Sequence, residues 1–78
     1  MPKLRVFSGK KLVSIFESFG FVVMSQKGSH IKMSRFSGAL QTVVIPNHTS
    51  IARGTLKAIY AQALLLIPEK ELKRFFYS

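Results

Sequence analysis

Two short turn signals divide the middle of the chain. Lys27-Gly28 and Ser37-Gly38 separate three candidate strands: 21–26, rich in β-branched and aromatic residues, 29–34, where apolar and polar residues alternate, and 40–45. Connections this short permit only antiparallel neighbours, because a parallel return needs a dozen or more residues. Pro46 closes the third run, since proline has no N–H to give to a ladder. Three strands of this length cannot bury both faces of their own sheet. The rest of the chain must therefore cover one face and leave the other open.

The flanking segments have the period needed to do so. Leu12, Ile15, Phe16 and Phe19 recur at i, i+3, i+4 and i+7, which predicts a helix over 9–19, with Ser8 as its N-cap and Gly20 as its stop. Leu56, Ile59, Tyr60, Ala63 and Leu64 predict a second helix beginning at Arg53 or Gly54. Pro68 suits the first turn of a short last helix, whose apolar side carries Leu72, Phe75 and Phe76. The expected fold is α+β in the order αβββα. It is a three-stranded antiparallel sheet with helices on one face, plus a short C-terminal helix, as in double-stranded-RNA-binding domains. A chain of 78 residues fits one domain, 1–78. Within the second run, Ile31 and Met33 belong to the core, so His30, Lys32 and Ser34 should face outward together.

Charge narrows the function. Twelve Lys and Arg against three acids give a net charge of +9, which suits a polyanionic partner. There is no Asp, and the only acids are Glu17, Glu69 and Glu71. Two-metal phosphoryl chemistry needs clustered carboxylates, and glycosidic hydrolysis needs a flanking pair, so neither is supported. With no cysteine there is no thiolate metal site. No metal and no small-molecule cofactor is expected. The start of the chain lacks the apolar stretch of a signal peptide, and the longest apolar run, 63–67, is too short to span a bilayer. The cytoplasm is the expected location, with no membrane partner.

Acid–base chemistry in mid-chain must then use His, Lys, Tyr or backbone groups. His30 follows Lys27-Gly28-Ser29 at the start of the second run. RNA can be cut without metal when a base takes the 2′ proton and an acid protonates the leaving 5′ oxygen, and imidazole can do either near neutral pH. Lys27 and Lys32 flank His30 and could hold the phosphate, while Gly28 would let the backbone approach it. Spacing alone equally allows a plain surface histidine. His48, after Pro46-Asn47, is open between a second acid–base group and a local brace of its loop. Arg53, Gly54, Thr55 and Lys57 crowd the start of the second helix, where an anion is favoured, though a solvated basic turn reads the same way. Phe16, Phe19, Phe21, Tyr60 and Phe75 fall on core stripes, so recognition by shape and phosphate fits better than base stacking.

These pieces stand in a recognisable order: Ser8-Gly9-Lys10, Gly20-Phe21, Gln26-Lys27-Gly28-Ser29-His30, Val44-Ile45-Pro46-Asn47-His48, and Arg53-Gly54-Thr55-Leu56-Lys57-Ala58-Ile59. Over residues 6–63 the chain resembles the HicA toxin family. The resemblance implies a metal-independent endoribonuclease that cuts messenger RNA, with the histidine of Gly28-Ser29-His30 catalytic. Lys27, Gly28, Ser29, Lys32, His48, Arg53 and Lys57 are the expected RNA-binding residues on the charge and placement given above. The resemblance also implies a HicB-type antitoxin that covers the active face. A non-catalytic RNA- or DNA-binding module of the same fold is the alternative. Many relatives carry a glycine after the second helix. Here Ala63-Leu64-Leu65-Leu66 stands instead and leaves room for a longer helix. Phe75-Phe76-Tyr77 is open between core and an exposed patch.

Overall fold

The computed structural model describes residues 3–77. Its elements run α1 (Gly9–Ser18), β1 (Val22–Lys27), β2 (His30–Phe36), β3 (Leu40–Pro46), α2 (Arg53–Ala63) and α3 (Glu69–Phe76). This is the expected αβββα order with a short final helix.

α1 starts where its cap predicts. The Ser8 hydroxyl oxygen accepts the Lys11 N–H at 3.1 Å, satisfying one orphan donor of the first turn. The helix buries Leu12, Ile15 and Phe16. It ends at a left-handed Gly20, φ +91°. There Phe21 N–H reaches back to Phe16 O (3.1 Å) and Gly20 N–H to Glu17 O (3.0 Å), the two bonds of a Schellman stop.

The sheet order is β1-β2-β3, all antiparallel, so β2 is central. Ile31, Met33, Val43 and Ile45 point into the core beneath α1 and α2. Lys32 and His30 face outward, as the alternation requires. Ser34 shares that outward face but is only 3% exposed, contrary to expectation. Its short side chain lies on the middle strand between Val22 and Thr42, and its hydroxyl bonds the Thr42 hydroxyl at 3.0 Å. β2 also runs to Phe36, two residues past its expected end. β1 carries a bulge between Val23 and Ser25, with Met24 as the extra residue.

α2 does not run longer. It ends at Ala63, and the chain tightens through Leu65 N–H to Gln62 O (3.1 Å) and Leu66 N–H to Ala63 O (2.9 Å) before Pro68. Arg35 takes the place of a glycine stop. Its guanidinium donates to Leu66 O (2.8 Å), to Phe19 O past the end of α1 (2.7 Å) and to Gln41 Oε1 (2.6 Å). It also lies 4.7 Å from the centre of the Phe21 ring. One cation thus binds the C-terminal ends of two helices to the sheet.

Phe75-Phe76-Tyr77 belongs to the core rather than to an exposed patch. Phe76 is fully buried against Phe7 and Tyr60, with ring centres 5.3 and 5.1 Å apart, and Phe75 meets Phe19 at 5.4 Å. The end of α3 is tied to the N-terminal segment by an antiparallel Leu4–Tyr77 bridge and by Arg5 N–H to Phe76 O at 2.8 Å.

Candidate functional site

The turn between β1 and β2 has two residues. Gly28 occupies its first position at φ +57°, and among the described residues no non-glycine has a positive φ. That is the pattern of a type II′ hairpin. A Cβ on Gly28 would meet nothing within 4 Å, so glycine is needed for its backbone angle rather than for space. The turn delivers His30 as the first residue of β2, exposed on the open face. Lys27 sits directly across the ladder from it, and Lys32 lies two residues on along the same face. On its other side His30 pairs with Pro46, the last residue of β3.

Three backbone hydrogen bonds gather the neighbouring segments at this corner. Asn47 N–H donates to Ser29 O at 2.6 Å, fastening the loop after β3 to the hairpin turn. Gly9 N–H donates to His48 O at 2.8 Å, fastening the same loop to the start of α1. Ile51 N–H donates to Phe7 O at 2.8 Å. Gly9 is there because backbone is: a Cβ would collide with Pro46 O and stand 2.9 Å from Asn47 Cα. His48 is exposed and, with Ser8, Lys10, Asn47 and Thr49, lines a cleft of about 350 Å³. Lys10 and Asn47 also line a neighbouring cleft of about 250 Å³ beside Val13 and Gln26.

The sequence-predicted residues therefore fall into two groups. Lys27, Gly28, Ser29, His30 and Lys32 lie together on the hairpin, and His48 is joined to it through Asn47. Arg53 and Lys57 are exposed one turn apart on α2, in the layer behind the sheet rather than on the face that carries His30. Lys10 and Asn47, which line both clefts, were not singled out as site residues by the sequence pattern. Arg35 was not singled out either, and it is a structural cation rather than a free one.

The open face has two characters. Its His30 end is basic. Its far end, the Phe36–Leu40 pair, is apolar, with Phe36 78% and Leu40 68% exposed. Val44, opposite Lys32, joins the two. Among the described residues no group of three or more His, Cys, Asp or Glu is assembled that could hold a metal ion. The chemistry on offer is an accessible imidazole, ammonium groups beside it and backbone dipoles. Such a set can move a proton and hold a phosphate.

No helix among the described residues is long and apolar enough to cross a membrane. A family model described as the HicA toxin of bacterial toxin–antitoxin systems matches residues 9–65, well over half of the chain. That span covers α1, the sheet and α2, including the whole hairpin and the loop that holds His48. No curated protein and no solved structure matches the chain.

Proposed function

Because the chain belongs to the HicA toxin family, we propose that it is a metal-independent endoribonuclease that cleaves messenger RNA with His30 as general acid or base. The observation that carries this reading is the position of His30. It is exposed on an uncovered sheet face, across from Lys27 and beside Lys32. In the reaction the 2′-OH gives up its proton and its oxygen attacks the adjacent phosphorus. The bond to the 5′ oxygen breaks, and that oxygen leaves protonated. The products are a 2′,3′-cyclic phosphate and a 5′-hydroxyl. Positioned proton transfer by an imidazole accounts for roughly 10²–10⁴-fold of such a rate. Lys27 and Lys32 stabilise the charge that builds on the phosphate oxygens. Ser29, with Gly28, sets the hairpin that aims His30, and His48, Arg53 and Lys57 hold the strand on either side.

Family membership implies a cognate antitoxin. A partner of HicB type, more acidic than this chain, would cover the open face, with Phe36, Leu40 and Val44 giving it apolar area beside the basic corner.

The test is cleavage of RNA by the purified chain in EDTA, with the new ends identified, beside His30→Ala. Cleavage to cyclic phosphates that falls at least about 100-fold in the variant is the expected result. A requirement for magnesium, or equal growth arrest on induction of both proteins, would overturn it. RNA bound equally by both proteins and cut by neither would make the chain a binding module.

A further inference from the structure

The matched family span begins at Gly9 and stops at Leu65, so it excludes the N-terminal segment and α3. Those two pieces are joined to each other. Leu4 bridges Tyr77, Arg5 N–H donates to Phe76 O, and Phe7 packs on Phe76. Their joint effect is to lay the segment carrying Arg5 against the loop that enters α2. Between them lies a cleft of about 290 Å³, lined by Leu4, Arg5, Ser50, Ile51, Arg53 and Leu56 among others.

We infer that Arg5 and Arg53 form a second phosphate-binding subsite, taking an RNA phosphodiester outside the scissile one. This rests on the endoribonuclease reading for the identity of the strand. Three observations point to it. Two guanidinium groups line one small cleft, both exposed, with no carboxylate among its lining residues. Each guanidinium brings N–H donors and a positive charge to the same cleft. Its flat fork suits the oxygens of a phosphodiester. Arg35 shows the opposite case in the same molecule: an arginine whose donors are taken up inside the protein. Finally, the loop that carries His48 leads directly into Arg53. The same loop is fastened to the His30 hairpin through Asn47 N–H and Ser29 O, so it links the two sites along the chain.

The N-terminal segment and α3 thus lengthen the RNA footprint. The reacting groups stay on the hairpin, so Arg5 is a positioning residue, and its loss should weaken binding of long strands without changing the chemical step.

The experiment measures binding of a long single-stranded 2′-fluoro RNA, which lacks the nucleophile, by wild type, Arg5→Ala and Arg5→Lys over a range of salt. In Arg5→Ala the affinity should fall about 5–10-fold, and the slope of log K against log salt should shrink by about 0.7, the value for one phosphate contact on a single strand. Arg5→Lys should restore the slope and part of the affinity. Cleavage of a long natural RNA well below saturation should slow in Arg5→Ala by about the same factor as the loss of affinity. An unchanged slope and affinity in Arg5→Ala would overturn the subsite while leaving the nuclease intact. Arg5-dependent binding without any cleavage by wild type would keep the subsite and remove the nuclease. No RNA binding by wild type would remove both.

Discussion

Replacing Arg35 with methionine keeps an unbranched stem of similar reach and deletes the guanidinium. Three hydrogen bonds are lost, to Phe19 O, Leu66 O and Gln41 Oε1, together with the contact over Phe21. Hydrogen bonds from a charged donor contribute about 1.5–3 kcal/mol each, and a partly exposed group falls at the low end. The ring contact adds about 0.5–1 kcal/mol. Their sum is about 5 kcal/mol. A domain of 78 residues has a total of only about 4–12 kcal/mol. Urea unfolding followed by circular dichroism should therefore show a midpoint lower by roughly 5 M at a slope near 1 kcal/mol/M, or a variant already unfolded without urea. Arg35→Lys should recover little, because one ammonium cannot bridge carbonyls at the ends of two different helices. A loss below about 1 kcal/mol for Arg35→Met would refute the argument, since it would mean that water replaces the guanidinium at both carbonyls without cost.

Gly9→Ala forces a methyl into the backbone of Pro46 and Asn47, where no flexible side chain can yield. A loss of about 1–3 kcal/mol is expected, read as a lower melting temperature, and a melt equal to wild type would show that the loop moves freely. Tyr60 has its pKa raised above the ordinary 10.0, first by burial, then by the Glu69 carboxylate and by Tyr77. A phenol with a raised pKa in the folded state contributes stability that is complete below 10.0 and is lost as the pH rises through the folded value. Melting temperature should therefore drop as the pH rises above about 10, and drop less in Tyr60→Phe; parallel curves for the two proteins would contradict this.

The elements whose pattern is local were legible in the sequence. Ser8, the stripe through Phe16 and the stop at Gly20 all lie within a dozen residues, and helix α1 follows from them. His30 was aimed outward by alternation with Ile31 and Met33, because one face of β2 is buried. The same alternation puts Arg35 inward with Ile31 and Met33. A charged residue in the core phase of a strand was the available signal for its role as a staple. The bulge at Met24 left no such mark: β1 is an edge strand exposed along its whole length, so nothing fixes its phase. The end of α2 was illegible for another reason. Its stop lies on β2, some 30 residues away in sequence, and not in the segment itself. In the site, the hairpin residues were readable as one motif. The fastening of Asn47 to Ser29 was not, because it exists only once β3 pairs with β2.

The Leu4–Tyr77 bridge has a mechanical consequence. The two segments are antiparallel at that point, so the N-terminal direction from Leu4 and the C-terminal direction from Tyr77 lie on the same side of the bridge, while Arg5 and the end of α3 lie on the other. Tension applied to the two ends peels this contact open one bond at a time instead of shearing several at once. Unzipping needs far less force than shear, so the clasp should yield first. Arg5 would be released from Phe76 while the hairpin with His30, on the middle strand of a separate sheet, still bears no load.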